Sequence, residues 1–318
     1  MGVAPVDTES RPPSGFRVVS DSARVTLVIR TLDAGPWLDD LLPCLADQRR
    51  RPDELLIVDS GSSDGTVDRI LATGVRLVAP DSPFGEAERC RIVTLPGCEF
   101  THARSTNLGF REARGDLVVM LSQDALPLDA GWLGRLIAPL ETTAGSDESV
   151  VAAAFGRQIA RPDVFPPERW QIEADYPAEA PHESNKGGVL FSNVNSVVRR
   201  TAWQEEPFDE SLLIAEDRVW AAHQLARGRR IAYVPGAAVR HSHDYSVRAA
   251  AARCEAESRV RRQSEGLTES VSLLFKAWPR QTLADLGRLG REGRLLAWPR
   301  AAVYRFAQFY GMWRGGRG

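Results

Sequence analysis

The segment RVTLVIRTLDAGPWLDDLLPCLADQRRRPDELLIVDSGSSDGT (24–66) decides the fold class of this chain. It opens with a β-branched apolar run at 24–31 and continues with apolar residues at helical spacing at 37–48. A second apolar run at 53–59 then enters a turn of Gly, Ser and Asp. Two nearly all-apolar strands separated by a helix predict a parallel sheet that is covered on both faces.

The alternation of helix and strand continues downstream of this segment. A helix is predicted at 66–74, closed by glycine, and a short strand at 75–80. A further helix at 101–115 also ends in glycine, and the apolar run at 116–124 predicts a fourth strand. The sequence therefore predicts an α/β fold with a mostly parallel sheet and helices on both faces.

The second half of the chain is less regular. Strands are predicted at 149–160 and 189–200, and two short strands within 230–246. Between the first two lies a Pro-rich segment at 161–188, which predicts a long mobile loop of functional importance. The segment 208–228 leads into a helix that ends at a glycine.

Charge is distributed unevenly along the 318 residues, whose formal net charge is −2. From Arg248 to the end there are 14 Arg and Lys residues against 6 Asp and Glu, a net charge of +8, which leaves −10 for the preceding part. A basic segment attached to an acidic body predicts contact with an anionic surface, either a membrane or a nucleic acid. The alternative is a solvated helical face.

Other features of the composition favour a globular cytoplasmic protein, with 43% apolar and 26% charged residues. No run of about 18 apolar residues predicts a transmembrane helix. Residues 1–22 have no apolar stretch of the kind found in a secretory signal, and they predict a flexible tail. The cysteines show neither CxxC pairing nor zinc spacing, so reduced thiols are expected at Cys44, Cys90, Cys98 and Cys254.

Polar side chains collect where the predicted strands end. Thr31 and Asp33 follow the first strand, Asp59 and Asp64 the second, and Asp124 the fourth. Parallel sheets bind ligands beyond the carboxyl ends of their strands. A carboxylate at the end of a buried strand is therefore predicted to face a ligand and to be held rigidly by the sheet.

Two more groups of residues carry potential chemistry. Glu216 and Asp217 begin a predicted helix, where the helix dipole favours anions, although an acidic first turn is common without any function. His241 and His243 are two residues apart, so a strand would place them on the same side. With an aspartate they would suit a divalent metal site that has open positions, and the alternative is two surface histidines.

Several enzyme classes lack their motifs in this chain. It has no Walker loop, no GxGxxG and no GxSxG sequence, which argues against P-loop enzymes, classical dinucleotide-binding enzymes and serine hydrolases. The turn DSGSSDGT (59–66) contains no lysine, and its carboxylates would repel a phosphate. Acids in that position are better suited to hydrogen bonds with a nucleobase or ribose.

Taken together, the blocks at 24–48, 52–66, 103–127 and 208–228 resemble glycosyltransferase family 2, which has the GT-A fold. They occur in the family's order, and the resemblance covers roughly residues 24–245. EFTHARSTNLG, LSQDALP, FSNVNSVVRR and VRHSHDYS further resemble the bacterial rhamnosyltransferases that use dTDP-L-rhamnose.

The resemblance implies an inverting, metal-dependent transfer of a sugar from a nucleoside diphosphate to an acceptor hydroxyl, with Asp217 as the base. Glu216 would orient the acceptor or the base, or be structural. The metal, Mn²⁺ or Mg²⁺, would be held by Asp124 and by His241, with His243 as the alternative; Ser122 stands where the family commonly has another acid. Contacts with the nucleotide sugar are implied for Thr31, Asp33, Asp59, Asp64, His102, Arg104, Asn107, Gln123 and Asp124.

For the acceptor, a saccharide or a lipid-linked saccharide, the sequence offers the amides of Asn193 and Asn195. Trp220 is a candidate for stacking on a sugar, and packing in a helix core is its alternative. The donor alternatives are a UDP-hexose or UDP-galactofuranose. An alternative from another functional class is a non-catalytic protein that binds a nucleotide sugar.

The sequence predicts three parts: a tail at 1–22, a GT-A domain at 23–247 and a basic, aromatic-rich helical extension at 248–318. Aromatic residues mixed with arginines in the extension suit a helix lying on anionic lipid, which would place the protein at the inner face of the cell membrane. The alternative is packing on the catalytic domain or on a second subunit, as in a homo-oligomer. No nucleic-acid recognition motif is present.

Overall fold

The computed structural model describes residues 23–74, 76–78, 90–96, 100–141, 150–179 and 190–317. The predicted tail at 1–22 and Cys98 lie outside these residues.

The first half of the chain confirms the predicted strands and helices, and it adds two strands, at 90–94 and 126–127, and a helix at 132–141 that the sequence did not predict. Its strands are β1 (Val25–Thr31), β2 (Glu54–Asp59), β3 (Arg76–Val78), β4 (Cys90–Thr94), β5 (Leu117–Ser122) and β6 (Leu126–Pro127). Its helices are α1 (Gly35–Ala46), α2 (Thr66–Leu71), α3 (His102–Glu112) and α4 (Trp132–Glu141).

The second half differs from the sequence prediction in two places. Its elements are β7 (Val151–Ile159), α5 (Pro166–Asp175), β8 (Asn195–Arg199), α6 (Arg200–Glu205), α7 (Glu216–Ala226) and β9 (Arg230–Arg240). The loop predicted for 161–188 was wrong over α5, because Pro166 and Pro167 occupy the first turn of a helix, where no backbone N–H is required. The two short strands predicted within 230–246 are one strand, β9, whose register to β7 shifts after Val234.

The strands form one mixed sheet in the order β3-β4-β2-β1-β5-β8-β7-β9-β6. Among β1 to β5, every pair of neighbouring strands runs parallel, as predicted. β9 also runs parallel to its neighbour β7. β8 is antiparallel to both β5 and β7, and β6 is antiparallel to β9. The sheet is therefore mostly parallel, with antiparallel pairs in its second half.

Both faces of the sheet are buried, which explains why the parallel strands are almost entirely apolar. Alternate residues of β1 point to opposite sides, so Leu27 and Ile29 belong to one hydrophobic core and Val28 to the other. Trp132 of α4 lies in the first core and Phe110 of α3 in the second.

The chain after β9 is helical. It consists of α8 (Val247–Glu265), a π-helical turn (Leu273–Ala277), α9 (Trp278–Arg291), a 3₁₀ turn (Leu295–Ala297) and α10 (Trp298–Gly316). A third apolar cluster joins these helices to α5 through Trp170, Leu289 and Tyr304. The buried Arg305 donates to Asp285 at 2.7 Å and to the carbonyl oxygen of Pro167 at 3.1 Å. Among the described residues, no helix is both long and apolar enough to cross a membrane.

Candidate active site

A cavity of about 830 Å³ opens beyond the carboxyl ends of β1 and β5, and helices α5, α7, α8, α9 and α10 contribute to its wall. The cavity brings together many of the residues that the sequence singled out. These are Thr31, His102, Gln123, Asp124, Asn193, Glu216, Asp217, His241 and His243.

Asp124, His241 and His243 form a cluster in which one potential ligand atom from each residue lies within 4.8 Å of the others. The sheet explains this proximity. Asp124 lies between β5 and β6, and His241 follows β9, whose residue Arg240 pairs with Leu126 of β6. Asp124 Oδ2 lies 3.5 Å from His241 Nε2.

The protonation of His241 suits a metal ligand. Its Nδ1 donates to the amide oxygen of Gln158 at 2.9 Å, so Nε2 carries the lone pair. That Nε2 is buried and has no hydrogen-bond partner. Burial lowers the pKa of His241 to about 4 and that of His243 below its usual value, so both rings are neutral at pH 7. One carboxylate and two neutral imidazoles fit a divalent cation.

Two arginines that sequence reasoning missed lie at the same edge. Arg161 donates to the backbone oxygen of Asp124 at 2.5 Å, and its guanidinium carbon lies 4.3 Å from the centre of the Trp37 ring. Arg30 donates to Thr106 Oγ1 at 3.1 Å and to the backbone oxygen of His102 at 3.3 Å. The available signal for Arg30 was its charge, since every other residue of β1 is uncharged.

Glu216 and Asp217 begin α7, directly after Ala215, whose φ of +63° is uncommon for a residue other than glycine. Asp217 Oδ2 accepts from the backbone N–H of Asn193 at 3.0 Å, which fixes its orientation. Glu216 is 5% exposed. Burial, followed by the charge of Asp217, raises the pKa of Glu216 to about 7, while the charge of Arg30 opposes the rise.

Three polar residues complete this part of the cavity. Asn193 accepts from Ser196 Oγ through Oδ1, and its buried Nδ2 has no hydrogen-bond partner. Gln123 binds Leu32 through both the N–H and the carbonyl oxygen of that residue. Burial and the neighbouring Arg30 lower the pKa of His102 to about 4, which keeps its ring neutral.

The acidic residues Asp33, Asp59 and Asp64, at the ends of β1 and β2 and in the turns after them, accept hydrogen bonds that stabilise these turns. They do not line the cavity. Asp59 is buried and accepts from Thr31 Oγ1 at 2.9 Å and from the N–H groups of two following residues at 3.0 Å. Asp33 accepts from the N–H of Ser63 at 2.8 Å. Asp64 accepts from the N–H groups of Gly35 at 2.9 Å and of Thr66 at 3.0 Å. Their implied contacts with the nucleotide stay predictions.

Four further candidates lie away from the cavity lining. Asn107 is buried, and it binds Phe208, Glu210 and Trp203 through its amide. Arg104 pairs with Glu210 at 3.4 Å on the surface. Asn195 accepts from Trp132 Nε1 and donates to the carbonyl oxygen of Ala237. Trp220 packs in the hydrophobic core against Phe191 and Phe208, in agreement with the alternative given above.

A mostly parallel sheet with carboxylates, histidines and arginines around a cavity at its strand ends fits the class of GT-A nucleotide-sugar transferases. The sequence model of "Glycosyl transferase family 2" matches residues 26–205. The chain belongs to glycosyltransferase family 2 and is an inverting glycosyltransferase.

Named relatives agree with this assignment. The chain is 29% identical over 234 residues to the O-antigen chain rhamnosyltransferase RfbN of Salmonella typhimurium, covering 71% of this chain and 68% of the relative. It is also 29% identical to the O-antigen chain rhamnosyltransferase WbaN of Salmonella anatum, covering 70% and 67%. The mannosyltransferase PcManGT of Pyrobaculum calidifontis, solved with GDP-Man and Mn²⁺, shares the fold at 16% identity and a TM-score of 0.55, covering 95% of this chain and 89% of that chain.

Proposed function

We propose that this enzyme transfers L-rhamnose from dTDP-L-rhamnose to a saccharide hydroxyl during assembly of a surface polysaccharide or glycolipid. The donor is proposed from the similarity to the two Salmonella rhamnosyltransferases. One observation supports the reaction type: two groups of residues line the same cavity. These are the cluster of Asp124, His241 and His243 and the pair of Glu216 and Asp217.

Asp124 and His241 are the proposed ligands of the divalent cation, and His243 is the third. Mn²⁺ or Mg²⁺ bound there would offset the charge that develops on the leaving diphosphate. The buried, unpaired Nε2 of His241 supports this role, because a metal bond would satisfy it. Arg30 and Arg161 add fixed positive charge beside the same cluster.

Asp217 is the proposed general base. In the transfer, the acceptor oxygen forms a bond to the anomeric carbon while the bond from that carbon to the diphosphate oxygen breaks. The acceptor proton passes to a carboxylate oxygen of Asp217, and the diphosphate leaves with the bonding electrons. General-base assistance of this kind typically contributes about 10²–10⁴-fold to the rate.

The wall formed by α5 and α8 is the proposed binding surface for the acceptor. It presents the carboxyl groups of Glu168, Asp175 and Glu257 and the ring of Tyr245 to the cavity. Carboxylates accept hydrogen bonds from hydroxyl groups, so this wall suits a neutral saccharide. Arg218, the residue after Asp217, lies 4.0 Å from Glu257, and this proximity supports the proposal that the acceptor wall faces the base.

The proposed division of the chain is a GT-A domain at 23–247 and a helical extension at 248–318 that completes the acceptor side of the cavity. We further propose that the acceptor is lipid-linked and that the enzyme works as a peripheral protein at the inner face of the cell membrane.

Calorimetric titration with dTDP, UDP and GDP, each with and without Mn²⁺, tests this proposal. We expect Mn²⁺-dependent binding of dTDP that Asp124→Asn weakens by at least about tenfold, since one ligand of the cation is lost. Asp163→Asn, at an exposed carboxylate near Arg161, is the matched control and should bind as the native protein does. Preference for UDP or GDP would reject the donor, and equal binding by Asp124→Asn would reject the metal site.

A further inference from the structure

We propose that an exposed apolar face of the C-terminal helices docks on an anionic lipid bilayer and holds the acceptor side of the cavity against it. The face consists of the exposed side chains of Phe275, Leu296, Phe306 and Tyr310 together with the half-buried rings of Trp278 and Trp313. The role of this docking in delivering a lipid-linked acceptor rests on the proposed function. The binding of the face to a bilayer does not depend on that function.

Four aromatic rings of this apolar face touch one another in a row. The ring centres of Trp278 and Phe306 are 5.2 Å apart, those of Phe306 and Tyr310 are 6.0 Å apart, and those of Tyr310 and Trp313 are 5.8 Å apart. Trp278 is anchored to α10 because its Nε1 donates to the carbonyl oxygen of Ala302 at 3.1 Å. The row is therefore a continuous surface that joins two helices.

Several large apolar side chains of this face are exposed to solvent. Leu296 is 100% exposed, Phe275 75% and Phe306 41%. Apolar side chains that are exposed to this degree on adjoining helices and turns are typical of a site of interaction with protein or membrane.

Charge around the apolar face favours anionic lipid as the partner. Lys276, Arg280, Arg291 and Arg294 are exposed on the same helices and turns. Because these four side chains all carry positive charge, two copies of this surface would repel each other. Apolar side chains flanked by Lys and Arg are the pattern of segments that lie in the interface of anionic membranes.

α10 separates the apolar face from the reaction cavity. Tyr304, Gln308 and Met312, spaced by four residues, line the cavity. Phe306 and Tyr310 follow two residues after Tyr304 and Gln308, about half a turn around the helix, and lie on its opposite side. A bilayer on the apolar face would thus lie one helix away from the cavity, with Met312 providing apolar surface on the inner side.

This arrangement defines where a lipid-linked saccharide would enter. Its lipid would stay in the bilayer beside α10, and its sugar would reach over the helix to the carboxylates of α5 and α8. Docking therefore raises the local concentration of acceptor at the cavity and restricts the direction from which it arrives.

Sedimentation of the full chain with lipid vesicles tests the docking. The probes are vesicles of phosphatidylcholine alone and vesicles containing about one part in three of phosphatidylglycerol. We expect binding to the anionic vesicles, and a loss of at least about tenfold in the double variant Phe275→Ser, Phe306→Ser, because two large apolar side chains leave the interface. Leu128→Ser, at a residue that is 41% exposed outside the C-terminal helices, is the matched control and should bind normally.

Equal vesicle binding by the double variant and the native protein, or no binding by either, would overturn the proposal. So would a concentration-dependent dimer of the native protein that the double variant fails to form, since the apolar face would then bind a second copy. Calorimetry with dTDP tests the proposed function separately from the docking. If the double variant alone loses vesicle binding, the docking is supported, whether or not the protein binds dTDP.

Discussion

Glu216 and Asp217 are neighbours in sequence, yet their surroundings give the two carboxyl groups different properties. Glu216 is buried beside the charge of its neighbour, and its pKa is raised to about 7. Asp217 accepts hydrogen bonds from the N–H groups of Asn193 and Arg218, and these bonds fix the orientation of its carboxyl group. The cavity therefore holds two adjacent carboxyl groups, one with a raised pKa and one oriented by backbone hydrogen bonds.

Glu216→Gln is predicted to change how stability depends on pH. The folded-state pKa of Glu216, about 7, lies above the unfolded value near 4.5, so the folded state binds more protons between these values. The free energy of unfolding of the native protein therefore falls as pH rises through this window. We expect the variant to be more stable than the native protein at about pH 8, by roughly 1–3 kcal/mol, with a smaller difference at about pH 5.

Urea unfolding at both pH values measures this difference. Glu173→Gln, on the exposed side of α5, is the control and should follow the native protein at each pH. A gap between Glu216→Gln and the native protein that is the same at both pH values would refute the raised pKa.

At the residue scale, the sequence led to the carboxylates and histidines of the cavity because each lies at the end of a predicted strand or the start of a helix. It did not distinguish these from Asp59, at the end of β2, and Asn107, within α3, which are occupied by hydrogen bonds within the fold. Arg161 was missed because only tertiary contact brings it to Asp124.

The packing of α10 on α8 positions both the cavity wall and the apolar face. Gly311 and Gly315 of α10 allow this contact, because a Cβ at either position would collide with a backbone oxygen of α8, at Ala251 or Glu255. The two helix backbones therefore touch directly, and no larger residue fits between them.

Gly315→Ala is predicted to destabilise the protein by about 1–3 kcal/mol, because α10 must move away from α8 to accommodate the methyl group. Gly287→Ala in α9 is the matched control, since a Cβ there meets no atom within 4 Å. It should stabilise the helix by up to about 1 kcal/mol. Thermal unfolding of both variants measures the two effects, and equal destabilisation by both would contradict the close packing.

At the element scale, apolar runs were sufficient to predict β1, β2, β3 and β5. They did not reveal β4, a five-residue strand whose buried Arg91 pairs with Glu54 and Glu112. The sequence pattern failed for α5, whose prolines suggested a loop although they begin a helix. It also failed for β9, where Pro235 and Gly236 suggested a break that the sheet accommodates by a shift in register. In both cases the neighbouring elements, which sequence patterns do not reveal, determine the structure.

The whole molecule forms a cavity that neither the sheet nor the C-terminal helices could form alone. Sheet-edge residues such as Asp124 face α10 residues such as Gln308 across the same space. The buried bonds from Arg305 to Asp285 and to Pro167 keep α10 attached to α9 and to the start of α5. The sequence predicted a helical extension but left its position open, because these contacts join residues far apart in the chain.

Release of dTDP from dTDP-L-rhamnose, with water as the acceptor, is the measurement that tests the assigned chemistry most directly. We predict release that requires Mn²⁺ or Mg²⁺ in the native protein and that Asp217→Asn lowers by about 10²-fold or more while dTDP still binds. Asp163→Asn should release dTDP at the native rate. Release that continues without a divalent cation, or that Asp217→Asn leaves unchanged, would contradict the account.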